Sequence, residues 1–231
     1  MKLRIATYNV HKCKGLDGRV SVKRISEVLS ELNADVIAMQ EIFLEQAQYL
    51  AETIGVHWAF GENRQLLGDA YGNVVLSRHS LRSHCNYDVS VAGREKRGCL
   101  RTDVLLQSRA VHVFNVHLGT DFFERRQQAK RLVEEAVLKS RNLDGPRVVL
   151  GDFNEWTRGH VSKTLSAEFE STDLRVYLRR QRTYPGIFPV MHLDHIYYDT
   201  QLDMEHVTLH RTKTSMIASD HLPLVADFCV R

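Results

Sequence analysis

Six apolar runs in this chain end in, or lead straight into, an acid, an amide or a histidine. ATYN closes on Asn9, VIAMQ is followed by Glu41, and VFNVH closes on His117. VVLGDFN carries Asp152 and Asn154, HLDHI contains Asp194, and SDHLP carries Asp220 and His221. Short runs of this kind, rich in β-branched residues, read as buried strands. Burying an unpaired neutral polar group costs about 2–7 kcal/mol, and burying a carboxylate costs more. Each tip alone has a bland reading: Asn9 and Asp220 as turn caps, Glu41 as a helix start, His117 as a satisfied strand-end histidine. Together they are better served by converging, because a shared cation with its waters satisfies several at once. Carboxylates and amides without cysteine suit magnesium or manganese better than zinc.

Between these runs the hydrophobic period changes repeatedly. Residues 3–9 and 35–40 read as strands, while 20–32 places Ile25, Val28, Leu29 and Leu32 on one helical face and 43–54 is helical too. From 56 to 118 successive strands follow: HWAF, GNVVLS, SHCNYDVSV, CLRTDVLL and AVHVFNVHL. A helix comes next, with Ala129, Leu132, Val133, Ala136 and Val137 at helical spacing and Asp121 with Glu124 as an N-terminal capping pair. After 148–154 the pattern is helical or irregular to about 180, and HLDHIYYD, MEHVTLH and LPLVADFCV close the chain as strands. Helices between strands argue for α/β layers, and the central run of strands argues for mixed or antiparallel pairing. With no linker-like composition shift, one domain over residues 1–231 is expected.

Composition removes other classes. At 231 residues, 43% hydrophobic and 26% charged, the chain is neither disordered nor fibrous, and no apolar run is long enough to span a bilayer. Cys13, Cys85, Cys99 and Cys229 are widely spaced and read as reduced residues of a cytoplasmic protein. The net charge of +3 is too small to announce a nucleic-acid binder. Two local basic clusters, ERRQQAKR at 124–131 and LRRQR at 178–182, read as a solvated helix face and a surface loop, or else as contacts to a phosphorylated substrate.

Taken in order, TYN, MQE, NVHLG, LGDFN, LDHIY and SDHLPL resemble the motifs of the endonuclease/exonuclease/phosphatase superfamily and span residues 7–224. That superfamily includes pancreatic-type deoxyribonucleases, exonuclease-type apurinic endonucleases, sphingomyelinases and inositol polyphosphate phosphatases. The resemblance implies a mixed α/β (α+β) fold, a four-layer sandwich of two packed mixed β-sheets flanked by helices, with the site at one end of the sheets. It implies a magnesium-dependent phosphohydrolase, manganese being an alternative, and most readily a phosphodiesterase. A nuclease acting on DNA or RNA is the second reading, and an inactive binding module of the same fold the third. Glu41 is the implied principal metal ligand, with Asn9, Asp152 and Asp220 beside the metal. His221 is the implied general base, oriented by Asp194, and His117 steadies a phosphate oxygen or aids the leaving group. Asp152 and Asn154 form the GD-x-N pair, and Asn9, Asn154 and Asn73 are implied phosphate contacts. An ordinary histidine pKa near 6.5 suits the base role.

The chain departs from the apurinic endonucleases at two places: His11 stands where they carry an acid, and His117 where they use another residue, often tyrosine. It is closer to the deoxyribonuclease, sphingomyelinase and phosphatase branches. His195 is expected on the face opposite Asp194. His57, His79, His84, His112, His160, His192, His206 and His210 match no motif and read as structural or surface. Arg94 and Arg97 lie where relatives bring a loop to substrate, and read here as an ordinary basic hairpin. The implied partner is a phosphodiester or phosphomonoester, on a lipid head group, a nucleotide or nucleic acid, met by a monomer not inserted in a membrane.

Overall fold

A computed structural model describes residues 1–134, 137–138, 143–155, 159–171 and 182–231. In chain order the strands are β1 (Lys2–Asn9), β2 (Val36–Phe43), β3 (His57–Leu66), β4 (Asp69–Ser77), β5 (Leu81–Asp88), β6 (Gly98–Leu106), β7 (Arg109–His117), β8 (Arg147–Asp152), β9 (Glu170–Ser171), β10 (Asp194–Tyr198), β11 (Leu202–Leu209) and β12 (Leu224–Val230). The helices are α1 (Val22–Leu32), α2 (Leu44–Ile54), α3 (Phe122–Val133), α4 (His160–Ser166) and α5 (Lys213–Ala218). The first sheet runs β11-β12-β1-β2-β4-β3 and the second β5-β6-β7-β8-β10-β9.

Alternation along β1 shows how the layers are made. Leu3 and Ile5 face the second sheet, in a core shared with Val113, Leu150 and Phe228. Ala6 and Tyr8 face outward, against Ile25, Val28 and Leu29 of α1. A strand covered on both faces is apolar on both, which is why these runs read as continuous. The second sheet repeats the scheme: Phe114, Val116 and Val149 pack outward against Ala129 and Leu132 of α3 and Leu165 of α4. The result is a helix–sheet–sheet–helix stack. Helix α1 begins where the Ser21 side chain accepts the Arg24 N–H and stops at left-handed Asn33, φ 47°.

The stack sets where the polar tips go. Strands β1 and β2 are parallel at the middle of one sheet, and β7 and β8 are parallel at the middle of the other. Their C-terminal ends, Asn9, Glu41, His117 and Asp152, therefore leave at one pole. Antiparallel β10 and β12 contribute their starts to that pole, bringing Asp194 and the SDHLP turn.

Several boundaries differ from the sequence pattern. Strand β2 continues beyond Gln40 to Phe43 through a register shift between Met39 and Ile42, so Glu41 lies in a bulged strand instead of starting a helix. Strand β3 extends well past HWAF because its pairing with β4 continues to Leu66. Helix α3 ends at Val133, short of Val137. Ala136 and residues 178–181 of the LRRQR cluster lie outside the described residues. Among the described residues no helix is long and apolar enough to cross a membrane.

Candidate active site

The floor is a row of paired strand ends. His117 is opposite Asp152 across β7 and β8, and Asp152 is opposite Asp194 across β8 and β10. Gly151 permits this row: a Cβ there would lie 1.9 Å from the Val116 carbonyl oxygen, and its φ of +145° disfavours a side chain. His117, Asp152, Asp194 and His221 are buried, while Glu41, Lys12, His11 and Asp220 form a partly exposed lip.

Hydrogen bonds join floor to lip. The Asn9 side-chain amide donates to Glu41 Oε1 at 3.2 Å and to Asp152 Oδ2 at 3.0 Å, tying β1, β2 and β8 together. Glu41, held at φ 59°, also receives the Lys12 ammonium at 3.2 Å and the Tyr71 hydroxyl at 3.0 Å. His221 Nδ1 meets Asp194 Oδ2 at 2.9 Å, which leaves His221 Nε2 facing Asp152 Oδ2 at 3.6 Å. His117 Nε2 lies 3.8 Å from Glu41 and 3.7 Å from Asp152. On its other side His117 Nδ1 faces Arg97 Nη1 at 3.4 Å. A guanidinium only donates, so Nδ1 is the acceptor and the ring proton sits on Nε2, pointing at the two acids.

Burial and charge push the two histidines apart. Burial drives His117 down to about 4, and the neighbouring Arg97 charge adds to the effect. Burial acts the same way on His221, but Asp194 and Asp152 outweigh it and the pKa is pushed up to about 10. This corrects the expectation of an ordinary histidine: without a cation among the acids, His221 keeps its proton at neutral pH. Burial raises Asp152 above the usual carboxylate range. Burial opposes ionisation of Glu41 as well, yet attraction to His117 and Lys12 and the bonds from Asn9 and Tyr71 hold it well below that range.

Other expected residues sit differently. Asp220 Oδ2 pairs with His11 Nδ1 at 3.1 Å, so of the expected metal set Asn9 links Glu41 to Asp152 while Asp220 turns aside to His11. Asn154 donates to the Leu118 carbonyl at 2.9 Å, fastening the loops after β7 and β8. Asn73 is fully buried and its amide donates to the Gly98 and Asn115 carbonyls, leaving no donor for a phosphate. It braces the two sheets beneath the site. His195 points outward, as alternation requires, with Nε2 on the Glu155 carbonyl at 2.9 Å. Arg97 overturns the reading of its loop as an ordinary hairpin, since it is drawn in against His117. Lys12, Tyr71 and Tyr184, whose ring centroid is 5.0 Å from that of His221, also join the site. Lys12 had one signal, its place three residues after Asn9; the tyrosines had none, because tertiary packing alone brings them near.

The 124–131 cluster is solvated on one side only, where Arg126, Gln127, Lys130 and Arg131 are exposed. Glu124, Arg125 and Gln128 are buried, and Arg125 donates to the Gly119 and Thr120 carbonyls just beyond His117. Asp121 caps α3 by accepting from Phe123 and Glu124 N–H, but the Glu124 carboxylate turns to Gln128.

The oxygens available to a cation are those of Glu41 at the lip and of buried Asp152 and Asn9 beneath it, the Asn9 Oδ1 also accepting the His11 N–H at 3.0 Å. Among the described residues no group of three or more His, Cys, Asp or Glu side chains is set to hold a metal ion. Magnesium takes one or two carboxylates and keeps several waters, so this sparse oxygen set fits it.

A family model described as Endonuclease/Exonuclease/phosphatase family matches residues 6–221. The chain belongs to that family. Members of the endonuclease/exonuclease/phosphatase family are hydrolases of phosphoester bonds and generally depend on a divalent metal. The chain is 30% identical over 245 residues to the uncharacterized protein YbhP of Escherichia coli K12, covering 97% of this chain and 95% of YbhP. A mannosyl-6-phosphatase of Bacteroides thetaiotaomicron shares the fold at TM-score 0.79 and 16% identity, over 98% of this chain and 99% of that one. TDP2 of D. rerio, solved with a single-strand DNA product, does so at TM-score 0.77 and 18% identity, over 99% of each chain.

Proposed function

We propose that this member of the family is a magnesium-dependent phosphodiesterase in which His221 activates water for in-line attack on phosphorus. The observation that carries the reading is the buried Asp194–His221 pair with Nε2 directed at the acid cluster. Glu41, Asn9 and Asp152 would hold the cation, which would offset carboxylate charge and stabilise charge developing on the phosphoryl oxygens. Asp194 fixes the His221 tautomer and steadies the imidazolium that forms on proton uptake. Neutral His117 offers its Nε2–H to a phosphoryl or leaving oxygen, and Arg97 holds that tautomer while adding positive charge. A diester is favoured over a monoester because the Glu41, Asp152 and Asp194 carboxylates converge here against Lys12 and Arg97, and they repel a singly charged group less.

The nuclease reading is weakened by the fate of α3. Arg125 and Arg131 spend their guanidinium groups on loop carbonyls, so half of that cluster's cations are withdrawn from any nucleic-acid contact. The deciding experiment is a screen of phosphodiesters and phosphomonoesters with magnesium, with manganese and with chelator. Magnesium-dependent diester cleavage is the expected result. No turnover of any phosphoester would move the inactive-module reading to the front. Nucleic-acid cleavage with steep loss of binding as salt rises would instead favour the nuclease.

A further inference from the structure

The pole that carries the acid cluster also carries many of the large exposed apolar side chains among the described residues. Leu16, Ile217, Ile187, Phe188 and Val190 come from three separate segments that hydrogen bonds tie together. The Leu16 N–H donates to the Ile217 carbonyl at 3.0 Å, and Arg211 links Met216 of α5 to the Ile187 carbonyl. The loop that holds Ile187, Phe188 and Val190 is anchored beside the site: the Gly186 N–H donates to the Asp220 carbonyl at 2.8 Å, and Tyr184 of the same loop covers the His221 ring. Phe188 is 79% exposed and Val190 68%, so these side chains stand clear of the surface. From the opposite helix layer, Phe122 and Phe123 open α3 five residues beyond His117, and both are exposed.

Scattered exposed apolar residues are ordinary, but a contiguous set beside a site marks an interaction surface. Its chemistry selects the partner. The patch is mainly aliphatic, and Leu16, Ile187, Val190 and Ile217 have no ring on which a base could stack. Cations border it, with Lys14, Arg19, Arg211 and Lys213 all exposed. Apolar groups that protrude, framed by Lys and Arg, match the boundary of an anionic bilayer, where apolar side chains enter the headgroup region and cations meet lipid phosphates.

We propose that this rim docks on an anionic lipid surface, with Phe188 and Val190 as the inserting residues and Phe122 and Phe123 as a second foothold across the mouth. Resting on the phosphohydrolase reading, docking in this orientation turns the acid cluster toward headgroup phosphoesters. The docking itself needs no turnover.

The test is sedimentation of the full chain with vesicles of phosphatidylcholine alone and of an equal mixture of phosphatidylcholine and phosphatidylglycerol. The expected result is salt-sensitive binding to the mixed vesicles, reduced about tenfold or more in a Phe188→Ser/Val190→Ser double variant. That variant retains its melting temperature and its turnover of a small water-soluble phosphoester. His221→Ala still binds vesicles, so failure of the catalytic reading and failure of docking are separately visible. Absence of vesicle binding, or equal binding by the double variant, overturns the proposal. So does a dimer, seen by size-exclusion chromatography, that the double variant splits without any vesicle binding, since the patch then belongs to a second copy. Single-stranded oligonucleotide binding that the same substitutions abolish, with vesicles ignored, overturns it as well.

Discussion

His221 and His117 are the same residue type a few ångströms from the same carboxylate, and their environments separate them. His221 answers to Asp194 and Asp152, His117 to burial and Arg97. His221→Ala is therefore expected to lower magnesium-dependent turnover by about 10²–10⁴-fold, the usual contribution of a positioned base. Wild-type turnover in that variant would remove His221 from the role. Arg97→Met tests the partner histidine. Losing the guanidinium frees the His117 tautomer and removes a cation, and kcat/KM is expected to fall on the order of 10²-fold, with Arg97→Lys recovering only part. Steady-state kinetics on a small diester read both effects. The two histidine motifs were legible in the chain because each sits in an apolar run that must satisfy its tip. Arg97 was not, because nothing in GREKRGCLR tells a hairpin arginine in solvent from one folded back onto a strand end.

At the scale of elements, strand pairing holds the floor in register. Gly151→Ala forces a methyl group onto the Val116 carbonyl, so β7 and β8 must separate where His117 and Asp152 are paired. A loss of about 3 kcal/mol or more is expected, read by urea denaturation, with activity falling alongside. At the far end of the second sheet, Asp103 of β6 contacts His112 at 2.7 Å and Arg101 at 3.2 Å and accepts from Ser83. Burial raises its pKa, but the bonds from His112 and Ser83 outweigh this and hold it below its ordinary value. A depressed carboxyl stabilises the fold fully above its unfolded pKa of about 3.9, and that stabilisation is lost as pH falls through the lower folded value. Asp103→Asn is expected to cost about 1–3 kcal/mol at pH 7 and to flatten stability against pH below about 4. Equal slopes for both proteins in acid would contradict the assignment. The helical period of α1 was readable because Ile25, Val28, Leu29 and Leu32 all face one sheet. The bulge at Glu41 was not, since an extra residue in a strand leaves no mark on the period of its neighbours.

For the whole molecule, the convergence of Glu41 and Asp152 through Asn9 would couple stability to the binding of the proposed cation. A ligand that binds only the folded state stabilises it by about 2.7 kcal/mol at a hundred times its Kd. Magnesium is thus expected to raise the melting temperature and EDTA to reverse the shift, with Glu41→Gln abolishing most of it. An unchanged melting temperature at saturating magnesium would count against an ion at these acids. What the sequence determined by itself is which residues are polar tips on buried strands, because hydrophobic pattern and chemical type are properties of a local stretch. It also carried the six ordered motifs that place the chain in its family. What only the tertiary structure decided is which of those tips touch: Asp220 turning to His11, Asn73 buried as a brace, Arg97 and Tyr71 drawn in. Those outcomes depend on two sheets meeting face to face, and distances across that stack have no counterpart in spacing along the chain. The pKa values follow the same rule, since a histidine's charge depends on which carboxylates pack around it.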